Sequence, residues 1–200
     1  MKRRRSAPPK DKTVKAAGNQ TLRIIGGQWR GRKLSFASVD GLRPTGDRIR
    51  ETLFNWIMTD LPSAHCLDAF SGSGALGLEA LSRGAASAVL IEQDRNAAHQ
   101  IRENLQLLNC NRAQVEQTSC LTWLAQQPSK PFDVVFLDPP FQQHLWADTI
   151  ALLEQPGWLS DGAAIYVETP RSLPLSTPAD WQLHREKHAG DVSYRLYYRQ

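Results

Sequence analysis

The sequence predicts an α/β fold: a mostly parallel sheet with helices on both faces and an antiparallel C-terminal edge. From residue 63 onward, short apolar runs alternate with turns and with segments of helical periodicity. The segment 132–138, FDVVFLD, is apolar over most of its length, which is typical of a central parallel strand covered on both faces. Two alternating segments near the C-terminus flank the turn Ala189-Gly190-Asp191, which indicates a hairpin.

Each element follows from the apolar pattern and from the turn residues that bound it. The predicted strands are, in chain order, 65–70, 87–92, 114–117, 132–138 and 163–168, followed by the hairpin strands 181–187 and 193–199. The predicted helices of this region are 75–83, 96–109, 118–127 and 143–154. In the second of these helices, Ile101, Leu105 and Leu108 recur at helical spacing and define the buried face.

The N-terminal part of the chain divides into three segments. Residues 1–20 hold seven Lys and Arg and almost no large apolar side chain, so we expect a disordered basic arm. Residues 21–46 alternate around Gly26-Gly27 and predict a small β-hairpin extension that ends in a loop. Asp47 is expected to cap a helix that runs to about Met58. The domain that carries the sheet is expected over residues 47–200.

Composition excludes several classes of protein. The 200 residues are 41% hydrophobic and 22% charged, which is ordinary globular usage. No apolar run approaches the roughly 20 residues that cross a bilayer, and none follows the basic N-terminus as it would in a secretory signal. The three cysteines form no CxxC pair, which excludes a disulfide framework and favours a reducing cytoplasm. The five histidines show no metal-ligand spacing, so we expect no metal.

Charge is distributed unevenly along the chain. Residues 1–60 contain 14 basic and 5 acidic side chains, a net charge of +9. The other 140 residues contain 10 basic and 15 acidic side chains, a net charge of −5. This asymmetry predicts that the N-terminal third binds a polyanion such as nucleic acid. The candidate RNA contacts are Arg23, Arg30, Arg32, Lys33 and Arg43; Thr45, Arg48 and Arg50 either contact phosphates, cover a cofactor or form a charged surface.

A glycine loop joins the first strand of the sheet to the following helix. Glycines in Asp68–Gly77, DAFSGSGALG, allow positive φ and close approach of a ligand to the backbone. Glu92 ends the next strand, where a carboxylate can accept hydrogen bonds from both hydroxyls of a ribose. These features predict a nucleoside-bearing cofactor. The loop also fits a dinucleotide fingerprint, so a nicotinamide-dependent oxidoreductase is the alternative from another class, but Asp68 favours a sulfonium cofactor with an α-amino group.

The motif Asp138-Pro139-Pro140-Phe141 follows the central strand at the same edge of the sheet. The prolines lack two backbone donors, so nearby carbonyls remain available as acceptors. With the Asp138 carboxylate and the Phe141 ring, this set suits the planar exocyclic amine of a base, flipped out of its stack and held in line with a methyl sulfonium. The motif does not distinguish guanine N2 from adenine N6, in RNA or in DNA.

Several separated motifs together resemble the RsmD family. They are Arg43-Pro-Thr45, Arg50–Asn55 (RETLFN), Phe70–Gly77 and Asp138–Phe141, and the resemblance covers about residues 21–199. It implies the Rossmann-like fold of class I S-adenosylmethionine-dependent methyltransferases, with seven strands and an antiparallel C-terminal hairpin. It also implies 16S rRNA (guanine(966)-N(2))-methyltransferase activity on the 30S subunit or an assembly intermediate, with no membrane partner, and we expect a monomer.

The resemblance also implies roles for individual residues. The glycine-loop residues Asp68, Phe70, Ser71, Gly72, Ser73, Gly74 and Gly77 would hold the methionine part of the cofactor, and Glu92 would hold its ribose. Ser119 and Cys120 would contact the adenine edge. Asp138, Pro139, Pro140 and Phe141 would handle the guanine. The chain departs from the family at Ser119, where relatives often carry Asp or Asn.

Overall fold

The computed structural model describes residues 20–36 and 46–200. These residues form nine strands: β1 (Gln20–Arg23), β2 (Lys33–Phe36), β3 (His65–Asp68), β4 (Ser87–Ile91), β5 (Ala113–Glu116), β6 (Phe132–Leu137), β7 (Leu159–Pro170), β8 (Trp181–Ala189) and β9 (Val192–Arg199). They also form five α-helices: α1 (Asp47–Trp56), α2 (Ala75–Ser82), α3 (Arg95–Leu107), α4 (Cys120–Leu124) and α5 (Trp146–Leu153). The predicted sheet strands and helices are confirmed, with shifts at their ends. Within the described ranges, no helix is long and apolar enough to cross a membrane.

Seven strands form one sheet in the order β5-β4-β3-β6-β7-β9-β8. The first five pair in parallel, whereas β9 pairs antiparallel with both β7 and β8. The predicted parallel sheet with an antiparallel C-terminal hairpin is therefore confirmed. The chain moves outward from β3 through β4 to β5 and then returns to β6 on the other side of β3. This reversal opens a crevice at the carboxyl ends of β3 and β6, where ligands bind in open α/β sheets.

Helices cover both faces of the sheet, which explains why its central strands are apolar throughout. Helices α1, α2 and α3 bury their apolar residues on one face, together with Cys66, Val134 and Phe136 of the strands. Helices α4 and α5 pack on the other face, against Leu67 and Val135. Successive residues of a strand point to opposite faces, so Asp68 and Asp138 both lie on the side of α1 and α2.

The N-terminal strands β1 and β2 form a separate antiparallel pair, as predicted. The segment between them includes a 3-10 turn at Gly27–Trp29. Its neighbours Ile24 and Leu34 are fully buried in the same cluster as α1 and α2. The extension is thus joined to the main core by apolar contact.

The extension is fixed to α2 by the backbone around Gly26-Gly27. The N–H groups of Ile25 and Gly26 donate to the two carboxylate oxygens of Glu79, at 2.8 and 2.7 Å. A Cβ at Gly27, where φ is +75°, would lie 1.9 Å from the backbone oxygen of Ser82. These glycines were expected only to turn the chain; Gly27 also permits contact with α2 that any side chain would block.

The predicted cap of α1 is wrong. Gly46 occupies the N-cap position without a side-chain hydrogen bond, and Asp47 is the first residue of the helix. The Asp47 carboxylate instead accepts from Arg50 at 2.6 Å and from Arg23 at 3.3 Å. The carboxylate binds these two guanidinium groups and not the N–H groups of the helix, because charge-assisted hydrogen bonds are stronger than neutral ones.

Candidate active site

The glycine loop between β3 and α2 turns through two left-handed glycines. Gly72 has φ +53° and Gly74 has φ +79°, a region that favours glycine. The loop is tied to the sheet because the N–H of Ser71 donates to the backbone oxygen of Ile91 at 2.9 Å. A Cβ at Gly77 would lie 2.7 Å from Leu90 Cδ2, so α2 can lie against β4 only with glycine there. The sequence therefore specifies a tight strand-to-helix turn with its backbone open to a ligand.

Asp68 ends β3 beneath this loop and is almost completely buried. Its Oδ2 accepts a hydrogen bond from the N–H of Gly77 at 2.9 Å, which fixes the first turn of α2. Burial is the main cause that raises the pKa of Asp68 to about 7. The Gly77 hydrogen bond lowers this pKa, whereas the nearby carboxylates of Asp138 and Glu92 raise it further. Three carboxyl groups therefore meet at this edge of the sheet, and a bound cation would stabilise their charged forms.

Glu92 follows β4 and is half-buried next to the loop. Its Oε2 accepts from the N–H of Gly72 at 2.8 Å, and its Oε1 accepts from the N–H of Asp94 at 2.7 Å. Burial raises the pKa of Glu92 above its ordinary value, against the effect of these backbone hydrogen bonds. A carboxylate has about four acceptor sites, so capacity remains beside the backbone donors for hydroxyl groups of a ligand.

A cavity of about 150 Å³ opens at the same edge. Its wall contains five of the predicted site residues: Phe70, Glu92, Ser119, Cys120 and Pro140. It also contains residues that the sequence analysis did not single out, among them Gln93, Thr118, Leu121 and Gln143. The other predicted cofactor-binding and catalytic residues lie outside this wall: Asp68, Ser71, Gly72, Ser73, Gly74, Gly77, Asp138, Pro139 and Phe141.

Ser119 and Cys120 form the start of α4. The Ser119 hydroxyl oxygen accepts a hydrogen bond from the N–H of Thr122 at 3.2 Å and so caps the helix. The hydroxyl oxygens of Ser119 and Thr122 lie 2.7 Å apart. Cys120 is buried, and burial raises the pKa of its thiol to about 12. The thiol therefore stays protonated and contributes an apolar surface to the cavity.

The segment Asp138–Phe141 leaves β6, which lies directly beside β3 in the sheet. Asp138 is half-buried, and its charge contributes to the raised pKa of Asp68. Phe141 begins a 3-10 turn, and its ring centroid lies 5.8 Å from that of Trp146 at the start of α5. The fold thus brings the glycine loop and the Asp-Pro-Pro-Phe segment to adjacent strand ends, as the motifs predicted.

A protein-family model, described as conserved hypothetical protein 95, matches residues 22–198 of the chain. The chain is also 55% identical over 185 residues to ribosomal RNA small subunit methyltransferase D of Escherichia coli, covering 92% of this chain and 93% of the relative. The chain belongs to the RsmD family. The protein of the same description from Haemophilus influenzae is 52% identical over 179 residues, or 88% of this chain and 93% of the relative.

Solved structures agree with this assignment to the RsmD family. The Escherichia coli protein yhhF superimposes with a TM-score of 0.84 at 52% identity, covering 90% of this chain and 99% of that one. A methyltransferase from Geobacter sulfurreducens superimposes with a TM-score of 0.62 at 17% identity, covering 78% of this chain and 79% of that one. The second comparison concerns the fold alone. The predicted class I methyltransferase architecture is confirmed.

The basic residues that RsmD-family resemblance and charge singled out lie on the N-terminal extension. Arg23, Arg30, Arg32 and Lys33 are all exposed. Arg32 donates to the backbone oxygen of Leu107 at the end of α3, at 3.1 Å, and Arg23 pairs with Asp47. Arg43, Thr45 and most of the N-terminal arm lie outside the described residues. Among the described residues, no group of His, Cys, Asp and Glu could hold a metal ion.

Arg50 of this RsmD-family chain has a role that the sequence did not reveal. It is fully buried, and its Nη2 donates to the backbone oxygen of Arg23 at 3.0 Å and to Asp47. Its Nη1 lies 3.7 Å from Oε2 of Glu79, which is itself fully buried in α2. Arg50 therefore joins the extension, α1 and α2. Glu79 is a single charged residue in an otherwise uncharged and fully buried helix, and that pattern was the available signal.

Tyr166 and Glu168 of β7 are a second buried polar pair that sequence reasoning missed. The Tyr166 hydroxyl donates to Oε1 of Glu168 at 2.7 Å. Both residues are buried, and Glu168 follows Val167, the last residue of β7 that pairs with β6 before the Asp-Pro-Pro-Phe segment. A carboxylate as the last residue of an apolar strand, at the ligand-binding edge of the sheet, was the signal for this pair.

Proposed function

We propose that this protein transfers a methyl group from S-adenosylmethionine to the exocyclic N2 amine of one guanine, guanine 966, in 16S rRNA. The substrate is the 30S subunit or an assembly intermediate in the cytoplasm, and the enzyme acts as a monomer. The observation that carries the proposal is the meeting of the glycine loop and the Asp138–Phe141 segment at adjacent strand ends. The name of the relatives in Escherichia coli and Haemophilus influenzae, ribosomal RNA small subunit methyltransferase D, supports the rRNA substrate.

The residues at the loop fit S-adenosylmethionine. Burial with neighbouring carboxylates raises the pKa of Asp68 to about 7, and this is the electrostatic setting that a cationic ligand would relieve. Asp68 and the loop Phe70–Gly77 would hold the methionine part, and Glu92 would accept the ribose hydroxyls. The cavity wall at Ser119 and Cys120 would contact the adenine. When bound, this cofactor supplies an electrophilic methyl group on a positively charged sulfur.

The Asp-Pro-Pro-Phe segment performs the orientation step. The Asp138 carboxylate accepts one N–H of the guanine amine and the backbone carbonyl of Pro139 accepts the other, while Phe141 stacks on the base. The amine lone pair is delocalised into the ring and is a poor nucleophile, so alignment with the methyl group lowers the barrier. Asp138 would stabilise the positive charge that develops on nitrogen as the C–N bond forms and the bond from the methyl group to sulfur breaks, with its electron pair left on sulfur. The Asp138 carboxylate would then receive the departing proton.

The N-terminal extension would supply the rRNA contacts. Arg23, Arg30, Arg32, Lys33 and Arg43 would neutralise phosphates, and the basic arm over residues 1–20 would add long-range attraction. The guanine must leave its stack to reach Asp138, which costs a few kcal/mol. Favourable phosphate contacts on the extension offset that cost.

Replacement of Asp138 by alanine tests this assignment. Asp138→Ala is expected to lower methyl transfer by at least about 100-fold, because orientation and proton acceptance are both lost. Affinity for S-adenosylhomocysteine, measured by calorimetry, should stay within about threefold of the wild-type value.

Asp161→Ala is the matched control, since Asp161 is a fully exposed aspartate of β7. Substantial turnover by Asp138→Ala would refute the role of this carboxylate. Binding of NAD(H) in place of S-adenosylhomocysteine would instead support the oxidoreductase alternative.

A further inference from the structure

Glu168 lies beside Asp138 at the ligand-binding edge of the sheet. Strands β6 and β7 are parallel, with Phe136 opposite Tyr166 and Leu137 opposite Val167. Leu137 and Val167 are the last pair of these strands, which lie about 4.8 Å apart, and Asp138 and Glu168 are the residues that follow them. Phe136 and Tyr166 belong to the same apolar cluster, and the Glu168 carboxylate lies on that face because it accepts from the Tyr166 hydroxyl. The charge of Asp138 acts on the pKa of Tyr166, which places Asp138 near the same pair.

Two hydrogen bonds fix the position of Glu168. The Tyr166 hydroxyl donates to its Oε1 at 2.7 Å, and the indole N–H of Trp146 donates to its backbone oxygen at 2.8 Å. Trp146 in turn packs against Phe141, the ring of the Asp-Pro-Pro-Phe segment. The carboxylate of Glu168 is therefore held in a defined relation to both Asp138 and Phe141.

Tyr166 remains a donor to this carboxylate at any ordinary pH. Burial, together with the charge of the Glu168 carboxylate, raises the pKa of Tyr166 well above its ordinary value. The charge of Asp138 contributes to the same shift, which indicates that the two carboxylates and the phenol share one environment. Glu168 is only 4% exposed, and a buried carboxylate is costly unless it is hydrogen-bonded. The chain retains this carboxylate within β7, at a position where an apolar residue would cost less.

The two purines differ at the ring nitrogen beside the exocyclic amine. In guanine, N1 carries a hydrogen and is a donor next to the N2 amine. In adenine, N1 has a lone pair and is an acceptor next to the N6 amine. An ionised carboxylate only accepts hydrogen bonds, so it attracts the guanine edge and repels the adenine edge. A site built to bind a substrate N–H strongly rejects an analogue that lacks it.

We propose that the Glu168 carboxylate accepts the N1–H of the substrate guanine and thereby selects guanine over adenine at the methyl-transfer site. This inference rests on the proposed function, because it requires that Asp138 holds the exocyclic amine. It assigns the base preference, which the Asp-Pro-Pro-Phe motif leaves open, to a residue on the neighbouring strand. Tyr166 is a positioning residue that acts through Glu168.

The test compares two target bases that both carry a 2-amino group. Small-subunit particles are assembled with either guanine or 2-aminopurine at the target position; 2-aminopurine has a lone pair at N1 in place of the N–H. We expect the wild-type enzyme to prefer guanine by about 10- to 100-fold in kcat/KM, the effect of one charged hydrogen bond. Glu168→Gln can donate its amide N–H to that lone pair, so its preference should fall to within about threefold.

Glu154→Gln is the matched control. Like the Glu168 carboxylate, the Glu154 carboxylate accepts from an aromatic side chain, the indole N–H of Trp181 at 2.8 Å, but Glu154 lies at the end of α5 and not beside the Asp-Pro-Pro-Phe segment. Its preference for guanine should equal that of the wild type. Retention of the full guanine preference by Glu168→Gln would overturn the inference and leave the proposed function standing.

The wild-type enzyme provides a second measurement that does not depend on the folding of a variant. If the wild type methylated guanine and 2-aminopurine at equal rates, the role of Glu168 would be overturned, whereas the proposed methyl transfer would still hold. Failure of the wild type to methylate either particle would contradict the proposed function itself. The two failures are therefore distinguishable.

Discussion

Glu79 and Glu92 each bind two backbone N–H groups of a glycine-containing segment, yet their surroundings differ. Glu79 binds Ile25 and Gly26 of the extension and is fully buried with Arg83 and Arg50 close to its carboxylate. Glu92 binds Gly72 and Asp94 at the edge of the cavity. Among the described residues, no Lys or Arg forms an ion pair with Glu92.

This difference separates structural from ligand-binding carboxylates. The negative charge of Glu79 is compensated within the protein, so its hydrogen bonds serve to attach the extension to α2. Burial raises the pKa of Glu92, and within residues 20–36 and 46–200 its charge is compensated by backbone N–H groups and by no cationic side chain. Hydroxyl donors from a ligand would complete its hydrogen bonding. A carboxylate whose compensation is incomplete, at the carboxyl end of a parallel strand, is a strong sign of a binding site.

The largest expected effect is on stability at Glu79. Glu79→Gln removes the charge that faces two guanidinium groups, of which that of Arg50 is fully buried. Loss of one partner of a buried ion pair costs about 3–5 kcal/mol, and we expect this decrease in the free energy of unfolding. Denaturant titration measures it.

Glu103→Gln serves as the control, because Glu103 is exposed and its contacts, a pair with His99 and a hydrogen bond from Gln100, lie on the surface of α3. Its effect should be below about 0.5 kcal/mol. Equal free energies of unfolding for Glu79→Gln and Glu103→Gln would show that the contacts of Glu79 with the extension do not stabilise the fold.

At Glu92 we expect the reverse pattern. Glu92→Gln should weaken binding of S-adenosylhomocysteine by about 10- to 100-fold, because a charged acceptor of the ribose hydroxyls is lost. The free energy of unfolding of the unliganded protein should change by less than about 1 kcal/mol, since no internal ion pair is broken. Calorimetry and denaturant titration on the same variant separate the two quantities. Unchanged cofactor affinity would remove Glu92 from the site.

Cofactor binding should depend on pH through Asp68. Its pKa is raised to about 7 in the free protein, and a cation bound nearby favours the ionised form and lowers this pKa. Binding below pH 7 therefore releases a proton, and affinity rises by up to about tenfold per pH unit before it levels off above pH 7. Calorimetry between about pH 5 and about pH 8, in buffers of different ionisation enthalpy, counts this proton. Asp68→Asn should show a flatter profile, and a wild-type affinity independent of pH would contradict the assignment.

The smallest expected effect concerns the extension that Glu79 holds. Arg30→Gln combined with Lys33→Gln removes two exposed charges and should lower the log–log salt dependence of rRNA binding by about 1–2 units. The affinity loss should be only a few-fold at low salt and should vanish at high salt. Lys130→Gln is the control, since this exposed lysine precedes β6 at the opposite edge of the sheet from Asp138. If the log–log salt dependence of rRNA binding were the same for the wild type, the double variant and Lys130→Gln, the rRNA contacts would lie elsewhere.

Much of the fold followed from the sequence because the relevant signals are local. The apolar strands, the glycine loop and the C-terminal hairpin are each specified by residues within a few positions of one another. The attachment of the extension could not be found in this way, since Ile25 and Glu79 are 54 positions apart. The cap at Asp47 was predicted wrongly for a similar reason, because Arg23 lies 24 positions before it.

The candidate site shows the same difference between local signals and contacts that are distant in sequence. Motifs indicated Asp68, Glu92 and Asp138 because each ends a predicted strand. Glu168 also ends a predicted strand, but its importance depends on the pairing of β6 with β7, which places it beside Asp138. A single strand pattern contains no information about its neighbour in the sheet. These carboxylates are brought together by the order of the strands in the sheet.

The proposed function depends most on the chemistry at Asp138, and nucleoside identification tests that chemistry directly. The protein is incubated with cofactor labelled on the methyl group and with small-subunit particles that lack the modification, and the rRNA is then digested to nucleosides. We expect the label in N2-methylguanosine and in no other nucleoside. Label in N6-methyladenosine, or no transfer to the particles, would contradict the proposed function.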